Sequence, residues 1–169
     1  MLILGIDPGT ATTGYGVINF SPNKFDVIKF GLIETEKNGV PGERLESIYE
    51  EMSHLLEEFK PDVVAVERLF FATNAKTAMA VGEAKGIIIF AASRYKVEVV
   101  EYAPGTVKKT ISGDGRADKK MMQKSVREIL GHKVKSEVKK KTHFDNCADA
   151  LAIALCHAYK LKNGGDKNG

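Results

Sequence analysis

A chain of 169 residues with 43% hydrophobic side chains is the size of one ordinary domain with one core. No apolar run approaches the roughly 20 residues that span a bilayer. Nor does the opening have the basic, apolar and small-residue regions of a signal peptide, so a cytoplasmic protein with no membrane partner is expected. The net charge of +3 conceals a division: residues 108–141 hold twelve Lys or Arg against four acids, net +8, which leaves −5 for the rest. A basic face on an acidic body points to a polyanionic partner, although a lysine-rich solvated helix pair gives the same count.

Residues 2–6 form an apolar run, 14–20 (GYGVINF) alternate and 26–34 (DVIKFGLIE) alternate loosely. Short connections between them predict an antiparallel three-strand meander. Leu45, Ile48, Met52, Leu55 and Phe59 fall on one face of a helix over 42–60, which Pro61 stops. The run 62–66 (DVVAV) predicts a buried strand ending on Glu67. A long helix over 75–92 contains Gly82 and Gly86 one turn apart, and their cost in helix propensity implies close approach of another backbone. A strand over 96–101 (KVEVVE), a short helix over 104–111 and a turn at Gly113-Asp114-Gly115-Arg116 follow. The next helix, 118–130, turns Met122, Val126 and Ile129 inward and Lys120, Lys124 and Arg127 outward. Residues 131–143 read as a flexible basic loop and 145–160 as the last helix. Cys147 and Cys156, nine positions apart on that helix, project from nearly opposite sides and cannot bridge, as expected of reduced thiols. Strands first, then alternating helix and strand, predict an α/β domain over 1–160, a mixed five-stranded sheet with helices on both faces, and a disordered tail over 161–169.

Acids recur where the apolar segments end. Asp7 closes the first run before a turn containing Pro8 and Gly9, which is equally the pattern of a turn-capping acid. Glu67 closes the fourth strand beside Arg68, equally the pattern of a strand-end ion pair. Asp149 is harder to account for, because the surrounding CADALAIALCHA is apolar on nearly every side. A carboxylate on a buried helix needs a cation or several donors. Three converging acids offset by a divalent ion answer all three positions at once, and such a site suits phosphodiester hydrolysis by Mg²⁺. A structural ion-pair network is the competing account. His132, His143 and His157 are scattered and read as surface or loop histidines, with His143 noted for preceding the helix of Asp149. Zinc spacing, a Walker lysine loop and a Gly-x-Ser-x-Gly elbow are absent from the sequence. In Arg68-Leu69-Phe70-Phe71, Phe71 reads as core, and an outward Phe70 beside a metal site can wedge or stack on unpaired bases.

Four separated segments, in order, resemble one family: LGIDPGT-x3-GYGVI at 4–18, AVERLFFATNAKTAMAVGEAKG at 65–86, VKKT-x-SGDGRADK at 107–119 and CADALAIALCHA at 147–158. Together they are similar to the RuvC family of bacterial Holliday-junction resolvases, and the resemblance runs from Ile3 to about Tyr159. It implies a ribonuclease-H-like fold, a Mg²⁺-dependent nuclease (Mn²⁺ substituting) acting on four-way junction DNA in recombination and repair, a homodimer, and RuvA and RuvB branch-migration proteins as partners. The implied metal-binding catalytic positions are Asp7, Glu67, Asn146 and Asp149. Asn146 departs from the family, which generally has Asp and sometimes His there; Asp145 or His143 is an alternative ligand. The implied DNA contacts are Phe70, Lys108 and Lys119, with Lys76, Lys109 and Lys120 as neighbours. Rival readings are an RNA-processing nuclease of the YqgF type, a junction-binding module with structural acids, and, from Asp7-x-Gly9-Thr10, a phosphate-binding turn of the actin and sugar-kinase kind. The last needs two such subdomains, and the chain has length for one.

Overall fold

The computed structural model describes residues 1–22, 24–36, 38–69, 75–131 and 141–165. Its strands are β1 (Leu2–Asp7), β2 (Thr12–Ser21), β3 (Lys24–Glu34), β4 (Val63–Glu67) and β5 (Glu98–Tyr102). The helices are α1 (Pro41–Phe59), α2 (Ala75–Arg94), α3 (Pro104–Ser112), α4 (Lys119–Leu130) and α5 (Lys141–Gly165). One sheet has the order β3-β2-β1-β4-β5. The β1–β2 and β2–β3 pairs are antiparallel, whereas β1–β4 and β4–β5 are parallel. The expected meander and mixed five-stranded sheet are therefore present.

Period-two alternation divides the interior into two layers. Ile3, Val63 and Ala65 pack with α3, α4 and α5, while Leu4, Ile6, Val64 and Val66 pack with α1 and α2. A strand buried on both faces reads as a continuous apolar run, which is why LILGI shows no polar alternation. Local chemistry bounds the helices. Pro41 and Pro104 open α1 and α3, where a missing N–H costs nothing. The side chain of Asp118 caps α4 by accepting from the N–H of Met121 at 2.8 Å.

Helix α5 lies against the middle of the sheet. A Cβ added at Gly5 would run into the carbonyl oxygen of Ala150, and one at Gly16 would meet Leu151 Cδ2 at 2.6 Å. Cys147, Ala148, Ala150–Ala158 are all buried, as the sequence of this helix requires. Two boundaries differ from the sequence reading. The helix begins at Lys141 rather than 145, and it continues through Gly165, so 161–165 are helical rather than part of a disordered tail. The remainder of the expected basic loop, 132–140, lies outside the described residues.

Candidate active site

The parallel register pairs Ile6 with Val66. Asp7 and Glu67, the next residues, therefore stand at the carboxyl ends of adjacent strands, about 4.8 Å apart across the ladder. Alternation puts both on the face covered by α5: Asp7 follows Ile3 and Gly5, and Glu67 follows Val63 and Ala65. The close approach of α5 to Gly5 fixes the third acid, because Asp149 immediately precedes Ala150. One carboxyl comes from each of three segments separated by some sixty to eighty residues.

The electrostatics are those of a single cluster. Asp7 is pushed up to about 7, chiefly by burial and then by Asp149 and Glu67, with Lys119 opposing. Burial and then Asp149 raise Glu67, against Lys108 and Lys85. Asp149 is raised by burial, with Lys119 and Lys108 pulling it down. Three carboxyls that resist ionisation form an oxygen-donor set with unmet demand for positive charge. With no thiolate or imidazole among the described residues of the cluster, this set suits a hard divalent cation that keeps much of its water. Among the described residues, no three His, Cys, Asp or Glu side chains are grouped closely enough to hold a metal ion as they stand, so the three carboxyls are electrostatic neighbours rather than a formed ligand set.

The turn after Asp7 is braced by two threonines. Thr13 Oγ1 donates to the carbonyl of Gly9 at 2.7 Å. Thr35 Oγ1 donates to the carbonyl of Thr10 at 2.5 Å and in turn accepts from Arg44 Nε at 3.0 Å. These positions escaped the sequence reading, because single threonines and a helix arginine carry no motif. Lys85 escaped it too: its side chain is 10% exposed, and it faces Glu101 from α2. The clue was a lysine between Ala84 and Ile88 on the helix's apolar side.

Of the expected DNA contacts, Lys108 on α3 and Lys119 at the start of α4 act on the acids themselves. Lys109 on α3 and Lys120 on α4 are exposed, and neither is among the charges that act on the acids. Lys109 lines a cavity with Thr106, Thr110 and Lys160, and Lys120 lines a groove with Lys124 and Arg127. Lys76 is exposed in the first turn of α2. Phe70 and Phe71 lie outside the described residues, as do the side chains of His143, Asp145 and Asn146, whose backbone belongs to α5. His157 is not a surface or loop histidine: it is 7% exposed, and its Nδ1 is hydrogen-bonded to the Tyr102 hydroxyl at 2.7 Å.

A mixed five-stranded sheet with acids gathered where its central parallel strands end, under a buried helix, defines a ribonuclease-H-like protein with a nuclease-type site. The family model for "Crossover junction endodeoxyribonuclease RuvC" matches residues 3–157. A protein of that name from Alkaliphilus oremlandii is 45% identical over 159 residues, covering 94% of this chain and 93% of its own. The Thermus thermophilus RuvC structure superposes with a TM-score of 0.84 at 35% identity, covering 97% of each chain. T. thermophilus RuvC in complex with Holliday junction substrate gives a TM-score of 0.86 at 34% identity, covering 97% of this chain and 96% of that one. The chain belongs to the RuvC family of crossover junction endodeoxyribonucleases.

Proposed function

We propose that this chain resolves four-way DNA junctions by hydrolysing one phosphodiester in each of two strands of like polarity, as a homodimer with Mg²⁺ or Mn²⁺. The observation that carries the reading is the coupling of Asp7, Glu67 and Asp149 into one cluster, flanked by Lys108 and Lys119. The junction-bound relative supports the choice of substrate.

Asp7, Glu67 and Asp149 would hold the cation, and Asn146 occupies the fourth position three residues before Asp149 on the same helix. A divalent ion there would supply polarisation of the scissile phosphate and a water made easier to deprotonate. The protein's own part is positioning and charge. The parallel register and the Gly5 contact bring the three acid-bearing segments to one end of the sheet, which supports this reading. Lys108 and Lys119 offset the acids and can pair with phosphate oxygens next to the cut. Lys76, Lys109 and Lys120 extend the cationic surface along the arms, and Phe70 would stack on an unpaired base.

A second copy fits the outer face of α2. Gly82, Gly86 and Phe90 recur at steps of four on that face, with Met79 beside them. Met79 is 69% and Phe90 54% exposed, and a Cβ at Gly86 would meet nothing within 4 Å. Bare backbone flanked by large exposed apolar side chains suits close helix packing between subunits. Two symmetric sites would then serve two strands, beside RuvA and RuvB, in the cytoplasm; no helix among the described residues is long and apolar enough to cross a membrane.

Glu67→Gln tests the assignment. It should keep junction affinity and lower cleavage by at least about 10³-fold, roughly 4 kcal/mol of barrier. Cleavage near the wild-type rate would remove Glu67 from the site.

A further inference from the structure

Among the described residues β5 is an edge strand, paired with β4. Its last residues, Glu101 and Tyr102, have no described strand on their outer side to fix them. Two part-buried polar contacts hold them instead, from opposite faces. On the α2 face, Lys85 Nζ donates to Glu101 Oε2 at 2.8 Å. On the α5 face, the Tyr102 hydroxyl and His157 Nδ1 are hydrogen-bonded at 2.7 Å, and His157 Nε2 is buried with no partner among the described residues. Buried lysine and histidine are costly choices where an apolar side chain would pack as well.

What the two contacts share is the strand end beside Glu67. Tyr102 is the register partner of Glu67, and its carbonyl accepts from the N–H of Arg68 at 2.8 Å, the last ladder bond as the chain leaves the acid. Glu101 Oε2 also draws Arg68 Nε, at 3.8 Å. We propose that Lys85 and His157 are positioning residues for cleavage: they clamp the end of β5 from both faces and through it hold Glu67 in place within the acid cluster. The inference rests on the nuclease reading. Neither residue acts on the phosphodiester: His157 acts through Tyr102, and Lys85 through Glu101 and through its charge on Glu67.

The test compares single-turnover cleavage of a synthetic four-way junction, at saturating enzyme and Mg²⁺, for wild type, Lys85→Met, Lys85→Arg, Tyr102→Phe and the pair Lys85→Met/Glu101→Gln. Losing either arm should slow cutting roughly ten- to a hundredfold, as small misplacements of reacting groups do. Junction affinity in EDTA should stay within about threefold, and Lys85→Arg should recover most of the rate. The Lys85→Met/Glu101→Gln pair should remain slow, because the tether is missing even though no carboxylate is left unpaired. If Lys85→Met does not fold, Tyr102→Phe, a milder change, carries the same expectation. Wild-type rates in Lys85→Met or Tyr102→Phe, full recovery in the double variant, or a loss that follows weakened binding alone would overturn the clamp. A wild-type chain that cuts no junction would instead overturn the nuclease reading.

Discussion

Replacing Asp7 by Asn removes a carboxyl that burial, Asp149 and Glu67 push from 3.8 up to about 7. The native group keeps its proton to higher pH than the unfolded one, so stability is lost as pH climbs from about 4 through about 7. The difference corresponds to at most about 4 kcal/mol at pH 8.5 and to less than about 1 kcal/mol at pH 4. A buried amide with imperfect partners costs about 1–3 kcal/mol in return. Net stabilisation of the metal-free protein should then be about 1–3 kcal/mol at pH 8.5, roughly 3–10 °C in unfolding temperature for a chain of this size. Scanning calorimetry in EDTA measures it directly. The variant should unfold above wild type at pH 8.5, and the order should reverse by pH 4, where the amide cost outweighs the remaining gain. Adding Mg²⁺ should raise wild type and leave the variant nearly unmoved, while junction cleavage by the variant is lost. An Asp7→Asn protein that unfolds at or below the wild-type temperature in EDTA at pH 8.5 would refute the reasoning.

Gly5→Ala drives a methyl into the Ala150 carbonyl and Ala154. It should cost about 1–3 kcal/mol by thermal unfolding and slow cleavage further, since Asp149 must shift with the helix; an unchanged rate would separate α5 from the site. Neutralising Lys108 and Lys119 should weaken junction binding and flatten log K against log salt by about one unit per lost phosphate contact. An unchanged slope would mean that they offset the acids only. Asn146→Asp and Asp145→Ala, assayed across Mg²⁺ concentration, ask which side chain completes the ligand set. We expect Asp145→Ala to abolish cutting and Asn146→Asp to change little. A gain of orders of magnitude from Asn146→Asp, with Asp145→Ala silent, would identify an impaired nuclease.

Much of the fold was legible because its signals are local. LILGI and DVVAV announce strands buried on both faces, and an all-apolar helix around Asp149 announces a buried acid. The order of elements followed from those segments, and the expectation that the three carboxyls converge was drawn from them. The parts that were not legible depend on distant partners. His157 reads as a stray histidine until Tyr102, from the β5 strand end, supplies its hydrogen bond. Lys85 carries no signal in the sequence until Glu101 appears beside it. The first and last turns of α5 carry Lys, Thr, Asn and Gly, so their composition argues for loop and tail. The buried middle of the helix sets its direction, and the ends extend from it.

The most direct measurement incubates the wild-type chain with Mg²⁺ and an end-labelled four-way DNA junction, beside a linear duplex of the same sequence. Sequencing gels then map every cut. The account predicts paired nicks at symmetric positions in two strands of like polarity, abolished by EDTA, with little cutting of the duplex. Equal cutting of junction and duplex would leave a metal nuclease without junction selectivity, and binding without any cut would contradict the account at its centre.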